Sequence, residues 1–251
     1  MKTLCGALAL LAALPSCTQS PPATLPAAAP ALPTQPDEVR LADNAPTTAL
    51  ASPVVLEAAF RPGTTIWLDS GVFRCRSLEL GRLRSETGKL VTGDPITIAG
   101  AQAFTQRFPL GEFPVQVALL RFGQDERAGF VRVVFDTARV VRWQPAQLPG
   151  QLPRALRDST FYCYGVDGGL GTILDSAANQ QFAHLGQATW DRVFIGAAER
   201  PGYAGYLYRF GNHNLVTFPT GLGDGCYPTY LGFGATGRVC RLLTDFRMIN
   251  W

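Results

Sequence analysis

Two aspartates lie in glycine-rich stretches of the chain and could together carry acid–base chemistry. Asp167 lies in Val-Asp-Gly-Gly, and Asp224 lies in Gly-Asp-Gly. Paired carboxylates support hydrolysis when burial raises the pKa of one and leaves the other ionised, as in glycoside hydrolases. Asp167 and Asp224 are therefore the candidate catalytic pair. Two aromatic residues close behind Asp224, Tyr227 and Tyr230, are the candidate ligand-binding residues, because their rings could stack on a sugar.

Aspartates of this kind also have structural roles. An Asp side chain between glycines accepts backbone N–H bonds while the glycines adopt positive φ, so Asp224 could simply form a tight turn between two strands. Three further aspartates are expected to be structural: Asp94 as a loop residue, Asp175 as a helix cap and Asp245 as a hydrogen-bond acceptor at a strand end. The sequence leaves both alternatives open for Asp224.

The signatures of other common enzymes and of metal sites are absent from the sequence. It contains no G-x-S-x-G, no H-E-x-x-H and no phosphate-cradling loop. No C-x-x-C spacing occurs, which argues against a zinc site. We therefore expect no metal and no cofactor, and the sequence does not decide whether the protein is an enzyme.

Charge is spread thinly along the chain. Lys and Arg number 22 against 19 Asp and Glu, which gives a net charge of +3. No basic cluster with interleaved aromatic residues appears, so nucleic-acid binding is not expected. Arg132 alternates with Val131 and Val133, which predicts that it occupies the solvent face of a half-buried strand.

The N-terminus has the pattern of a bacterial export signal. Lys2 precedes an apolar run that is too short to span a bilayer as a helix but suits a secretory signal. The run ends in Leu-Pro-Ser-Cys17, which resembles the lipobox of bacterial lipoproteins. We predict a signal peptide with a lipobox over residues 1–17, lipidation at Cys17, and a membrane-anchored protein of the cell envelope that faces outside the cytoplasm. A soluble secreted protein cleaved nearby is the alternative.

A proline-rich and alanine-rich segment follows the predicted signal. Six prolines fall within residues 18–37, and Asp37 is the first charged residue of this segment. Such a segment favours extended polyproline II and has no apolar face to bury. We therefore predict a flexible stalk over 18–52 and a single globular domain over 53–251, a length that suits one domain.

Four cysteines lie in the predicted globular domain: Cys75, Cys163, Cys226 and Cys240. An even number in an exported chain predicts two disulfides, for which three pairings are possible. The sequence PTYLGFGATGRV between the last two cysteines predicts a hairpin, which favours Cys226–Cys240. That pairing leaves Cys75 with Cys163.

Short strand patterns separated by turn signals dominate the predicted domain. One set comprises a hairpin, with a possible third antiparallel strand, over residues 114–122, 128–135 and 139–143. A terminal antiparallel set covers residues 214–218, 227–233 and 237–246. Helical signals are few: SAANQQFAHL follows the possible cap Asp175, and one turn is expected after Pro153. The pattern predicts a mainly β (α+β) domain, an antiparallel curved sheet or sandwich with one or two short helices.

Several stretches resemble a known bacterial family. They are GEFPVQVALLRF, VVFDTARVVRW, YGVDGGLGTILD and GLGDGCYPTYLGFGATGRVCRLLTDF. On these motifs the region from about Ser85 to Phe246 resembles the family named domain of unknown function 4241 (DUF4241). The resemblance implies no mechanism, because the family is functionally uncharacterised.

Two functions of different class follow from these observations. The first is an envelope lipoprotein, held to the membrane by its lipid anchor, whose non-catalytic β-rich domain binds a partner protein or a small ligand. The alternative is a hydrolase, acting on glycans, that uses Asp167 and Asp224. Glycosidase geometry requires the two carboxylates to line one pocket within about 10 Å of each other. Positions at opposite ends of the sheet would exclude the hydrolase.

Overall fold

The structure is a computed structural model that describes residues 37–41, 53–156, 158, 160–185, 188–189, 191, 193 and 205–251. The predicted signal peptide, the lipidation site Cys17 and most of the predicted stalk lie outside the described residues. The predictions made for them stay predictions.

Strands make up about half of the described chain and far outweigh the helices, as the sequence predicts. In chain order they are β1 (Glu38–Arg40), β2 (Thr65–Leu68), β3 (Gly71–Ser85), β4 (Leu90–Gly93), β5 (Gly111–Phe122), β6 (Asp125–Val134), β7 (Val140–Pro145), β8 (Tyr164–Val166), β9 (Leu170–Asp175), β10 (Tyr206–Phe210), β11 (His213–Pro219), β12 (Gly225–Tyr227), β13 (Thr229–Gly234) and β14 (Val239–Asp245). The α-helices with described bounds are α1 (Val55–Ala58) and α2 (Ser176–Phe182), and a 3₁₀ turn spans Ile98–Gly100.

The strands form three sheets. A large sheet has the order β1-β2-β3-β5-β6-β14-β13-β7, and a four-stranded sheet has the order β10-β11-β9-β4. A two-stranded ladder joins β12 and β8. Neighbouring strands are antiparallel except for β1, which runs parallel to β2.

The main core lies between the large and the four-stranded sheets. It is rich in β-branched and aromatic side chains, which favour strands because they pack well on a pleated surface. Its members include Val117, Val131 and Leu242 from the large sheet and Ile173, Val216 and Phe218 from the four-stranded sheet. The arrangement is a sandwich, which confirms the predicted fold class.

Each outer face of the sandwich carries a short helix. Helix α1 packs Leu56 against Phe130 and Leu243 on the large sheet. Helix α2 packs Phe182 against Leu174 on the four-stranded sheet. The sandwich therefore has a second and a third apolar layer outside the main core.

The two predicted helices had different outcomes. Asp175 caps α2 as predicted, because its side chain accepts a hydrogen bond from the Ala177 N–H at 2.9 Å. Just after Pro153 the described residues 154–156 and 158 include a turn, in which the Asp158 N–H donates to the Ala155 carbonyl at 3.2 Å; part of this stretch lies outside the described residues, so the one-turn helix stays a prediction. Helix α1 was not predicted.

The third strand of the predicted β5–β6 set has a different neighbour. Strand β7 pairs with β13, and β6 pairs instead with β14. The C-terminal hairpin β13–β14 inserts between β6 and β7, a long-range pairing that local turn signals do not specify.

Part of the predicted stalk belongs to the large sheet. Asp37–Leu41 falls within 18–52, yet β1 pairs along β2, and the Asp37 carboxylate forms an ion pair with Arg61. Val39 is buried. The prediction of a flexible stalk was therefore wrong for this segment, because one apolar side chain and an ion pair hold it on the sheet edge.

A buried charge cluster, formed by Glu57, Arg132 and Arg241 and called here the α1 charge cluster, fastens α1 to the large sheet. Glu57 lies 3.2 Å from the Nη1 of Arg132 and 3.1 Å from the Nε of Arg241. Both arginines are almost fully buried, so the solvent position predicted for Arg132 was wrong. Burial lowers the pKa of Arg132 to about 10, and the Glu57 carboxylate opposes that shift. Arg132 thus stays charged at neutral pH.

Candidate ligand-binding cleft

The two-stranded ladder brings the candidate aspartates together. Strands β8 and β12 are antiparallel, with Val166 opposite Gly225 at the end of the ladder. Asp167 directly follows Val166, and Asp224 directly precedes Gly225. The two aspartates are therefore the next residues to face each other beyond the last paired position.

The Asp224 carboxylate connects the two loops that leave the ladder. Its Oδ1 accepts a hydrogen bond from the Gly169 N–H at 3.1 Å. Gly169 lies two residues beyond Asp167, and at 3.8 Å per Cα step the Asp224 oxygen lies within about 10 Å of the Asp167 backbone. The two aspartates therefore lie at the same end of the ladder and not at opposite ends of a sheet.

The turn before Asp224 is closed by other groups. The Gly223 N–H donates to the Thr220 carbonyl at 2.8 Å, and the Thr220 hydroxyl donates to the Gly223 carbonyl at 2.7 Å. Gly223 has a φ of +106°, which favours glycine. The Asp224 side chain thus reaches across to the other loop instead of closing its own turn.

Asp94, which follows β4, accepts hydrogen bonds from the backbone of the loop that contains Asp167. It is buried, and its Oδ2 accepts the N–H groups of Asp167 at 2.7 Å and Gly168 at 3.0 Å. Its Oδ1 accepts the Ile96 N–H at 2.7 Å, a local turn that suits the predicted loop role. Sequence reasoning missed the contacts to the Asp167 loop, because they join residues more than seventy positions apart.

These elements enclose a cleft of about 430 Å³. Its lining contains three carboxylates and backbone from both strands of the ladder: Asp94, Thr97, Gly165, Val166, Asp167, Asp224 and Gly225. Asp167 and Asp224 are exposed, whereas Asp94 is buried. The cleft therefore presents two solvated carboxylates over a third that is occupied with backbone N–H groups.

The disulfide lies beside the cleft and differs from the predicted pairing. Cys163 and Cys226 are bonded, with their Cα atoms 5.3 Å apart, and both are exposed. The pairing Cys226–Cys240 was wrong, because β13 lies between the two residues and separates them by about 20 Å at 3.3 Å per residue. The pairing Cys75–Cys163 was also wrong, and Cys75 and Cys240 are free and buried.

The free cysteines occupy a different layer from the disulfide. Cys75 and Cys240 pack in the apolar layer under α1, on the outer face of the large sheet. Burial raises the pKa of the Cys75 thiol to about 12. This thiol is therefore protonated at neutral pH and is a poor nucleophile.

The two candidate tyrosines do not form a stacking surface. Tyr227 is buried in the main core, and its hydroxyl donates to the Gly223 carbonyl at 2.6 Å. Tyr230 is buried on the opposite face of the large sheet, where its ring contacts Trp251 at 5.6 Å. The two rings lie in different apolar layers and so offer no common surface on which a sugar could stack beside Asp224, and their ligand-binding role stays a prediction.

A buried carboxylate lies near the C-terminus, apart from the cleft. Asp245 accepts the Arg247 N–H at 2.7 Å and the Trp251 indole N–H at 2.8 Å, which confirms the predicted acceptor role. Burial raises the pKa of Asp245 to about 6, and these two donors oppose that shift.

Within the described residues no group of three or more His, Cys, Asp or Glu side chains is arranged to hold a metal ion. The helices of the same part of the chain include none long and apolar enough to cross a membrane.

Comparison with known proteins identifies the family. A family model described as a protein of unknown function (DUF4241) matches residues 83–244. The chain belongs to the DUF4241 family. Searches of curated proteins and of solved structures found no match.

The DUF4241 match includes the whole cleft but only part of the α1 charge cluster. Asp94, Asp167 and Asp224 all lie within residues 83–244. Arg132 and Arg241 also lie within it, whereas Glu57 lies outside the matched region, as do β1 and β2. The cleft thus belongs to the DUF4241 region, and α1 and the first two strands are added to its N-terminal side.

Proposed function

We propose that the protein is an envelope lipoprotein whose non-catalytic β-rich domain binds a small ligand in the cleft between Asp167 and Asp224. The observation that carries the proposal is that two exposed carboxylates face each other in one cleft. Like charges placed opposite each other destabilise a strand pair. A bound cationic group would remove this repulsion.

The chemistry of the cleft favours a ligand that carries an ammonium group. A carboxylate only accepts hydrogen bonds, and the ammonium group only donates them. The Asp167 carboxylate has no hydrogen bond or ion pair within the part of the chain that the structure describes. The volume of about 430 Å³ suits an amino sugar or the amino group of a short peptide.

The shared cleft also keeps the hydrolase as a second candidate. A general acid of a glycosidase is a carboxyl group whose pKa is raised by an apolar pocket. Asp167 and Asp224 are both exposed to water and lack such surroundings. This difference favours binding over catalysis.

The test compares one ammonium probe with its neutral counterpart. The full chain is titrated with glucosamine and with N-acetylglucosamine, and the thermal transition and heat of binding are recorded. We expect glucosamine to raise Tm and N-acetylglucosamine to leave it unchanged. The response should vanish in D167N and D224N and persist in E79Q, which removes an exposed carboxylate far from the cleft.

The variants are chosen so that folding and binding separate. D224N keeps an oxygen that can accept the Gly169 N–H, so its Tm without ligand should match that of the unaltered protein. Lack of any glucosamine response, or a response that survives in D167N and D224N, would contradict the proposal. Turnover of a glycan that disappears in D167N would establish the hydrolase instead. Intact mass of protein from its native host, with acyl chains on Cys17, tests the anchor.

A further inference from the structure

The structure contains an exposed sheet face that the cleft does not use. The residues outside the DUF4241 match extend the large sheet through β1, β2 and residues 71–82 of β3. On this extension the side opposite α1 is open to solvent. We call it the arginine face and define it by Arg40, Trp67, Arg74, Arg76 and Arg121.

The register of five neighbouring strands places the central row of this face. Glu38 pairs with Thr65, Thr65 with Arg74, Arg74 with Arg121, and Arg121 with Glu126. Residues directly opposite each other point to the same side of a sheet. The row therefore runs Glu-Thr-Arg-Arg-Glu across β1, β2, β3, β5 and β6, with two arginines side by side at its centre.

The flanking rows add two more arginines and an exposed tryptophan. Arg40 pairs with Trp67, and its guanidinium lies 5.3 Å from the centre of the indole ring. Trp67 is 37% exposed. Arg76 lies two residues beyond Arg74 on the same side of β3. Four arginines and two glutamates thus give this face an excess of positive charge.

The charged residues of the central row differ in whether they have a partner. Glu126 forms an ion pair with Arg76, with the nearest atoms 2.5 Å apart. Arg121 bends toward the β5–β6 turn, where it donates to the Gly123 carbonyl at 3.2 Å. For the Arg74 side chain, no hydrogen bond or ion pair occurs among the residues the structure describes. Arg74 and Arg121 lie directly opposite each other, so their positive charges repel. A bound anion would relieve this repulsion and accept hydrogen bonds from the Arg74 guanidinium.

The shape of the face indicates which kind of anion it meets. All four guanidinium groups stand on an exposed sheet surface, which contacts another surface rather than enclosing a small ion. Arginines beside an exposed tryptophan are typical of protein surfaces that rest on lipid headgroups. We propose that the arginine face docks the domain on an anionic lipid surface, with Arg74 and Arg121 contacting headgroup phosphates.

The position of the face in the chain agrees with this role. Strand β1 is the first described element, and residues 18–36 precede it. At 3.1 Å per residue an extended segment of that length spans at most about 60 Å, so an anchor at Cys17 would keep the face within reach of a membrane. The proposal does not depend on the cleft or on its ligand.

The experiment measures binding of the full chain to vesicles. Cys17→Ser is included in every protein so that acylation cannot contribute. Vesicles of phosphatidylcholine alone are compared with vesicles of phosphatidylcholine and phosphatidylglycerol in equal parts, by co-sedimentation at low and high salt. Stronger binding to the anionic vesicles, weakened by salt, is the expected result.

The variants locate the binding surface. Each arginine near an anionic surface contributes about a fivefold gain in partitioning, so R74Q/R121Q should bind the anionic vesicles about 25-fold more weakly. The matched control R139Q/R238Q removes the same charge from exposed residues beyond the opposite end of β6 and should bind as the parent does. The Tm of R74Q/R121Q should be unchanged or higher, because the like-charge pair is gone.

Three results would overturn the proposal. They are equal weakening in both double variants, no preference for anionic vesicles, and release from vesicles by inorganic phosphate at unchanged ionic strength. The last result would assign the arginines to a free anion instead. Unchanged vesicle binding in D167N and D224N separates this surface from the cleft.

Discussion

Charged side chains occupy two contrasting settings in this molecule. In the α1 charge cluster, two almost fully buried arginines share one carboxylate, and Arg241 also donates to the Cys240 carbonyl at 3.0 Å. In the cleft, Asp167 and Asp224 are exposed, and the residues that line the cleft with them include no Lys or Arg. Both buried arginines are ion-paired with Glu57, which leaves the cluster with a net charge of +1, whereas the two exposed carboxylates have no ion pair among the described residues.

This difference indicates which charges hold the fold and which can bind a ligand. A buried charge without a partner is costly, so the α1 charge cluster must be complete for α1 to stay on the sheet. Exposed carboxylates cost little, because water screens their repulsion. The cleft can therefore keep unpaired charge, and its shape depends on other connections, the disulfide foremost.

The largest expected effect on stability comes from removing the disulfide beside the cleft. Cys163 and Cys226 enclose a loop with a sequence separation of 63. Loop-closure entropy for that length predicts that C163A/C226A lowers the free energy of unfolding by about 4 kcal/mol. Urea denaturation of the oxidised protein and of the variant measures the difference.

Reductant provides the control for this prediction. Dithiothreitol should destabilise the unaltered protein and leave C163A/C226A unchanged, because Cys75 and Cys240 are already free thiols. A response of the double variant to reductant would contradict the assigned pairing.

The second prediction concerns the α1 charge cluster, from which the negative charge of Glu57 is removed. Glu57→Gln leaves Arg132 and Arg241 buried without their shared anion. Removing one partner of a buried ion pair typically costs 3–5 kcal/mol, and since the Glu57 side chain is 25% exposed we expect about 3 kcal/mol. Urea denaturation checks this, with E79Q as an exposed control that should change stability by less than about 0.5 kcal/mol. Equal stability of the two variants would show that α1 does not depend on this charge.

The third effect concerns Asp245, a buried carboxylate bound by neutral donors. Its folded-state pKa of about 6 lies above its ordinary value of 3.8, so the folded protein binds the proton more tightly than the unfolded chain. Its contribution to stability is therefore largest below pH 4 and is lost as the pH rises through 6. Between pH 4 and pH 7 this loss amounts to about 2 kcal/mol.

The variant D245N isolates that contribution from the other carboxylates. Denaturation curves of both proteins at several pH values give the difference in unfolding free energy, which should change by about 2 kcal/mol between pH 4 and pH 7. A difference independent of pH would mean that the Asp245 carboxyl is not shifted upward.

The local features of the fold could be predicted from the sequence, and the long-range ones could not. The β5–β6 hairpin and the cap at Asp175 depend on neighbouring residues, so turn signals and capping rules identify them. The position of β7 beside β13 and the bond between Cys163 and Cys226 depend on residues far apart in the chain. No local rule specifies such pairings.

The candidate site shows the same division. Asp167 and Asp224 were identified from their glycine-rich surroundings, and the structure brings them to one cleft. Asp94 was taken only as a loop residue, because its bonds to the Asp167 loop require the fold. Arg132 was placed on the solvent face, because alternation with valines does not show that α1 covers that side of the strand.

Strand β1 gives the molecule a defined response to mechanical load. A pull on the chain ahead of Asp37 reaches the three residue pairs between β1 and β2 and the Asp37–Arg61 contact before any other part of the sheet. Tension directed along this strand would shear those bonds together, whereas tension across it would peel them one at a time. The force needed to detach β1 from β2 would then vary with the angle at which it is applied.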